Sequence, residues 1–371
     1  MVIGQKKAKS WIQWPCPHRL LCLCAREHCA LLARFAAVAA VCLLLVAASY
    51  YALSSPADGD VDGEMGQRFF DIWRRRSAQA RAYDYHDDLE AALRGAADAN
   101  RTLILTVLNK AYAGEDGLLD LFIESLKQGE GTEELISHVL LVAMDRPAFR
   151  RCRSLGGVRC YRLRAVAANG TTGDLSSEQL YMSDGFIRMM WQRIRLLGDV
   201  VKHGYSFIFT DLDVMWLRNP FQSLNRTGEE DLLISSDRFN GRPHDYLGNE
   251  LNTGFFFVAA SNRTAALFDE WHKARDESAG MKEQDVLNRM KRRGALRRLG
   301  VKARVLDTAR FSGFCQDSRD AQKVATVHAN CCRTMRAKVS DLRAVIGVAR
   351  RLNQTAELRW PAHSECAKSW R

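Results

Sequence analysis

Phe207-Ile208-Phe209-Thr210-Asp211-Leu212-Asp213-Val214-Met215-Trp216 ends an apolar run with two aspartates one residue apart. With Gly204 just before it, the run reads as a buried strand. Side chains alternate across a strand, so Asp211 and Asp213 point the same way. Two carboxylates held together at the end of a buried strand repel each other, and a divalent cation between them relieves the repulsion. Strand packing by itself has no use for two acids there.

The flanking sequence alternates strands and helices. Thr102–Leu108 is a continuous apolar run of buried-strand type. Apolar residues at helical spacing occupy 118–126, and Val139–Ala143 is a second strand, ended by Asp145 and Pro147. A short strand is expected near Tyr161, then a long helix over 183–201 with Asp184 at its start and Gly204 past its end. This alternation predicts an α/β fold with a mostly parallel, Rossmann-like sheet and helices on both faces. Ligands in such sheets sit beyond the carboxyl ends of the strands. Asn109 and Lys110, Asp145, and the Asp211/Asp213 pair all fall at such ends. Further strands are expected at 232–235, 254–260, 301–306 and 324–327, with helices at 263–279, 284–293 and 338–352. Residues 231–371 then complete the same domain rather than forming a second one.

The N-terminal region has a different character. Residues 35–53 carry no charged side chain and are long enough to cross a bilayer as a helix. Lys6, Lys7, Lys9, Arg19, Arg26 and Arg34 precede them, and Asp58, Asp60, Asp62 and Glu64 follow. That asymmetry predicts a cytoplasmic tail (1–34), a signal anchor (35–53), a stem (54–97) and a lumenal domain (98–371). A cleaved signal peptide fits less well, given the long basic lead and the lack of an Ala-x-Ala site. Lumenal placement gives meaning to sequons at Asn100, Asn169, Asn225, Asn262 and Asn353. Cys152, Cys160, Cys315, Cys331, Cys332 and Cys366 lie on the oxidising side, an even number suited to disulfides. Cys152 and Cys160 flank a Gly-Gly turn and are placed to pair locally; the other four connectivities stay open. The formal charge of +11 suits acidic partners. The compartment excludes nucleic acid, and the basic stretch 291–304 reads as a solvated face or a contact for an acidic polysaccharide.

Three further motifs follow the aspartates in order. Leu251-Asn252-Thr253-Gly254-Phe255 places polar residues before a hydrophobic strand. Lys282-Glu283-Gln284-Asp285 puts acids and an amide at a helix start, where capping and the helix dipole also favour them. Val327-His328-Ala329-Asn330-Cys331-Cys332 puts a histidine at a strand end, open to a metal. A haloacid-dehalogenase-type phosphatase also begins with a strand and Asp-x-Asp, but there the motif opens the domain and a Gly-Thr follows. Here it lies mid-domain and runs into Met215-Trp216-Leu217-Arg218.

Taken with Met144-Asp145-Arg146-Pro147, Met189-Met190-Trp191-Gln192-Arg193 and 204–213, these motifs resemble plant nucleotide-diphospho-sugar transferases of glycosyltransferase family 77. The resemblance runs from about residue 103 to 338. It implies a GT-A fold and a single-pass type II Golgi membrane protein. It further implies retaining transfer of a sugar, a pentose or galactose, from a nucleotide-diphospho-sugar such as a UDP-sugar. The acceptor would be a cell-wall polysaccharide or a glycoprotein, handled by the 231–371 half, with 98–230 the nucleotide-sugar half. A homo-oligomer, or a hetero-oligomer with other transferases, is a further expectation.

The order of motifs is similar to that of glycogenin-type transferases. This implies that Asp211, Asp213 and His328 hold Mn²⁺ or Mg²⁺, with Lys338 on the diphosphate and Arg193 on sugar or phosphate. Asn109, Lys110, Asp145, Asn252, Thr253, Gly254 and Gln284 complete the expected donor site. Where that pattern has Asp before Gln, this chain has Glu283, followed by Asp285. Asp237, Glu283 and Asp285 are therefore the candidate acids on the sugar side. A different class of function, a non-catalytic Golgi homologue that scaffolds other transferases, has no physical need for metal ligands.

Overall fold

A computed structural model describes residues 89–163, 182–224, 228–351 and 360–371, all within one compact unit, Ala78–Arg371. The expected signal anchor, most of the stem and the sequons at 169, 225 and 353 lie outside the described residues. Among the described residues, no helix is long and apolar enough to cross a membrane.

The chain begins with α1 (Leu89–Ala96), β1 (Thr102–Leu108), α2 (Leu118–Gln128), β2 (Val139–Ala143), α3 (Arg146–Leu155) and β3 (Arg159–Arg162). There follow α4 (Asp184–Lys202), β4 (Ser206–Thr210), β5 (Val214–Trp216), α5 (Pro220–Ser223), β6 (Leu232–Arg238) and β7 (Glu250–Val258). The remainder comprises α6 (Asn262–Lys273), α7 (Glu283–Arg292), α8 (Ala295–Arg298), β8 (Ala303–Val305), β9 (Phe311–Gly313), β10 (Thr326–His328), α9 (Met335–Ala349) and α10 (Ser364–Lys368). Among the described residues, seven strands form a sheet in the order β3-β2-β1-β4-β7-β6-β8. Its neighbours run parallel except β7, which is antiparallel to both β4 and β6. The mostly parallel α/β expectation holds, and residues from 231 onward do complete the same sheet.

Alternation of side chains splits the core into two layers. Ile104, Leu141, Ile208 and Phe257 pack on one face against α2, α3 and α9. Leu103, Leu140, Phe207, Phe209 and Phe256 pack on the other against α1, α4, α6 and α7. Phe256 meets Phe207 and Phe209 at centroid distances of 6.1 and 5.4 Å, and Phe268 of α6 closes on Phe207 at 6.2 Å. Such aromatic pairs add about 0.5–1.5 kcal/mol each beyond burial.

Several boundaries differ from expectation. Leu89–Ala96, assigned to the stem on its charge, is a helix that buries Leu93 and Ala96 in the core. β7 starts at Glu250, so Asn252-Thr253-Gly254 lies within the strand; irregular pairing with β6 after Ile234 accommodates it. β5, β9 and β10 form a separate three-stranded sheet, and all three are too short to show periodicity in sequence. The cysteines pair as Cys152–Cys160, Cys315–Cys331 and Cys332–Cys366. The basic stretch is largely neutralised. Arg292 pairs with Glu250, Arg298 with Glu270, Lys302 with Glu229 and Arg304 with Glu230, while Lys291 is buried against the Asn249 carbonyl. It therefore offers an acidic polysaccharide much less than its composition promised.

Two contacts anchor the frame around β5 and β6. Gly129 ends α2 where an added Cβ would stand 2.6 Å from the Trp216 carbonyl and 2.5 Å from Thr132 Oγ1. Gly129→Ala is expected to destabilise the domain by ~1–3 kcal/mol through overpacking, read from the denaturant midpoint. Asp231 accepts two hydrogen bonds from Arg263, at 2.9 and 2.8 Å, and one from the Lys302 amide at 2.9 Å. Burial disfavours its charge, but these donors outweigh burial and hold its carboxyl below the usual range. Its stabilisation is thus present above the unfolded value of about 4 and is lost as pH falls through the lower folded value. Asp231→Asn should flatten that acid limb in a melting-temperature series against pH; an unchanged limb would refute the assignment.

Candidate metal and diphosphate site

β4 lies beside β1 in the middle of the sheet, and its carboxyl end delivers the aspartates. The Asp211 amide donates to the Gly254 carbonyl at 2.7 Å, pinning the end of β4 to β7. The chain turns at Asp211 and enters β5, which pairs antiparallel with β10 and sets Val214 opposite His328. The Ala329 amide donates to the Asp213 carbonyl at 2.9 Å. The small second sheet thus carries His328 across more than a hundred residues of sequence to the aspartates. One ligand atom from each of Asp211, Asp213 and His328 lies within 4.8 Å of the others. His328 Nε2 stands 3.3 Å from Asp213 Oδ1, and Lys338 Nζ from α9 lies 2.5 Å from Asp213 Oδ2.

The residues fit a hard divalent cation. Carboxylate oxygens and one imidazole nitrogen suit Mn²⁺ or Mg²⁺, and no thiolate intrudes because the nearby cysteines are paired. Space has been kept for the cluster as well. A Cβ on Gly254 would fall 2.3 Å from His328 Cε1 and 2.8 Å from Asp211 Oδ2, so this wall admits only glycine.

The two aspartates differ sharply in electrostatics. Burial, reinforced by Asp213 and opposed by Arg193, pushes Asp211 up to about 6. Burial also penalises the Asp213 charge, but Lys338 and His328 outweigh it and hold that carboxyl well below the usual range. In turn, Asp213 raises His328 and Lys338 against the effect of their own burial. An ion pair thus stands ready where a cation and an anionic phosphate would replace it.

A cleft of about 260 Å³, open to solvent, extends from this cluster. Arg193 was expected on the sugar or phosphate. It lines the cleft, and its buried guanidinium reaches Asp211 Oδ1 at 2.8 Å and Glu283 Oε1 and lies 4.6 Å from the Phe209 ring centre. It ties two carboxylates together and acts on the site through them. Glu283 also accepts from Thr253 Oγ1 at 2.7 Å, so its carboxylate is turned into the site rather than onto its own helix. Asp237 lines the cleft and collects three side-chain amides: Asn252 at 2.8 Å, Asn330 at 2.9 Å and Gln284 at 3.3 Å. Asn330, two residues after His328, reaches Asp237 only through the fold, since ninety-three residues separate them in sequence.

Four expected residues stand away from the cleft. Asn109 is fully buried and its Oδ1 accepts from the Ala111 and Tyr112 amides, holding the turn after β1. Asp145 caps α3 through the Ala148 amide at 2.8 Å and accepts from the Lys110 amide at 2.7 Å. The side-chain oxygens of Asn109 and Asp145 thus serve the turn and the cap, and Lys110 joins them through its main-chain amide. From this strand end, Val107, Leu108 and Tyr112 face the cleft instead. Asp285 points past the cleft toward Lys282, 3.9 Å away, and burial raises its carboxyl.

A family model of nucleotide-diphospho-sugar transferases matches residues 134–342. The chain belongs to this family. It is 45% identical over 291 residues to an uncharacterized protein of Arabidopsis thaliana, covering 76% of this chain and 84% of that one. It is 27% identical over 197 residues to a β-arabinofuranosyltransferase of the same plant, covering 53% of this chain and 34% of the relative. Mouse xyloside xylosyltransferase 1 superposes with a TM-score of 0.38 at 15% identity, over 62% of this chain and 98% of the mouse chain.

Since Gly254 leaves room for the cluster, Gly254→Ala should weaken Mn²⁺ binding about ten- to a hundredfold, the equivalent of ~1–3 kcal/mol of overpacking. Calorimetric titration with Mn²⁺ reads this; undiminished affinity in a folded variant would remove the glycine from the site.

Proposed function

We propose that this chain is a metal-dependent glycosyltransferase, which moves a sugar from a nucleotide-diphospho-sugar to a glycan or glycoprotein acceptor with retention of configuration. The observation that carries the reading is the convergence of Asp211, Asp213, His328 and Lys338 at one end of a cleft. A scaffold would have no use for such a cluster. Topology of the N-terminal region favours a type II anchor with the domain in the Golgi lumen. The β-arabinofuranosyltransferase relative favours a pentose donor and a cell-wall product.

Asp211, Asp213 and His328 would hold the cation, which supplies charge neutralisation at the leaving diphosphate. Lys338 then gives a second positive charge on the same side, and Asp213 holds its ammonium in place before substrate arrives. Val107, Leu108 and Tyr112 offer an apolar wall for a flat nucleobase. On the sugar side, Asp237 is wrapped by three amide donors, which occupy the lone pairs a nucleophile would need. The charge of Glu283 is similarly taken up by Arg193. Neither acid is set up as a strong nucleophile. Both suit electrostatic stabilisation of a positively charged anomeric centre during same-face attack by the acceptor hydroxyl.

With the full chain in detergent, UDP plus Mn²⁺ should raise the melting temperature, and a UDP-pentose should be hydrolysed slowly in a Mn²⁺-dependent way. Asp213→Ala should lower that hydrolysis by about 10²–10³-fold while the variant stays folded. Full hydrolysis in Asp213→Ala, or no response to any nucleotide, would overturn the reading.

A further inference from the structure

One wall of the cleft is not used by the metal cluster or its acids. Three large hydrophobic side chains are exposed among the described residues: Met182, Leu247 and Trp370, the last at 53%. Of these, Trp370 alone lines the cleft. Its indole N–H donates to the Cys331 carbonyl at 2.8 Å, so the ring's one polar atom is satisfied by protein and its apolar surface is left bare.

The ring is held firmly. The Cys332–Cys366 disulfide ties α10 to the segment after β10, and the Cys366 amide donates to the buried Asp341 carboxylate of α9 at 2.8 Å. One residue before the tryptophan, Ser369 Oγ accepts from the Arg333 amide at 2.9 Å. This wall is continuous with the sugar side of the cleft. Cys331 is bonded to Cys315, whose sulfur lies 3.6 Å from Asp237 Oδ1, and the adjacent Asn330 amide donates to the same oxygen. The apolar wall at the end of β1 belongs to other residues, Val107, Leu108 and Tyr112.

We infer that Trp370 is the acceptor platform: one ring of a neutral saccharide stacks its C–H face on the indole and presents a hydroxyl to the sugar end beside Asp237. The inference rests on the transferase reading above. A rigid, half-exposed aromatic disfavours water, and a saccharide ring offers it an apolar face while its hydroxyls stay hydrated. The site thereby gains selectivity for a ring-shaped acceptor over water without a charged contact.

Two measurements on the full chain in detergent test it separately from that reading. First, arabinotetraose binding is followed by saturation-transfer NMR in the presence of Mn²⁺ and UDP. Trp370→Ala should weaken binding about tenfold, and Trp370→Phe should restore it to within about threefold of wild type. No binding by wild type, or equal binding by Trp370→Ala, overturns the platform whatever the turnover. A weakened affinity for UDP in Trp370→Ala would reassign the ring to the donor and also overturn it. Second, with a UDP-pentose the ratio of transfer to arabinotetraose over hydrolysis should fall about tenfold in Trp370→Ala. Saccharide binding without any wild-type turnover would sink the transferase reading and leave the platform standing.

Discussion

Two like charges, held one residue apart at the end of the central strand, set the terms for everything around them. Asp211 and Asp213 cannot both remain ionised in a buried setting without compensation. Arg193 approaches one, and Lys338 and His328 approach the other. The three cationic or basic partners come from α4, α9 and β10, elements far apart in sequence. The fold can be described as the means of bringing them to one strand end. A cation bound there would take over from Lys338 and His328 as the neutralising charge and would free the lysine for an anionic partner.

The supporting atoms show how little slack the arrangement has. Gly254 must lack a side chain for His328 and Asp211 to face each other. Thr253, Glu283 and Arg193 form a buried hydrogen-bonded set behind the cluster, and Asn252, Gln284 and Asn330 form a second around Asp237. The first set is not fully satisfied, since Arg193 Nε and Glu283 Oε2 are buried without a partner, and a low local dielectric makes such groups costly to disturb. Residues that touch neither ion nor sugar are therefore constrained as tightly as those that do.

Much of this was legible in the sequence, and for physical reasons. β1, β2 and β4 are buried on both faces, so their apolar runs are unbroken, and a run ended by Asp-x-Asp reports both strand and edge. The His328 segment carried its signal in a resemblance, since three residues of β10 show no period of their own. Asn109, Lys110 and Asp145 were misplaced because a polar residue after a strand serves a turn or a cap as readily as a ligand. The ion pairs of Arg193 were not legible, because an arginine on a helix shows nothing of a buried carboxylate ninety residues downstream. Trp370 could not be read at all, because its position depends on disulfides and on the Cys331 carbonyl.

Within the seven-stranded sheet, the antiparallel course of β7 limits what can vary. Because β7 runs against β4, its beginning rather than its end meets the aspartates, and Gly254 is fixed in a ladder of main-chain hydrogen bonds. Neighbouring strands keep a spacing of about 4.8 Å whatever side chains they carry. The sheet therefore works as a ruler for the ion, with its gauge written in the backbone. The rim around Trp370 is built from loops and a short helix and answers to no such gauge. On the proposed reading, the rim that would meet an acceptor can therefore change far more freely than the strand ends that would hold an ion.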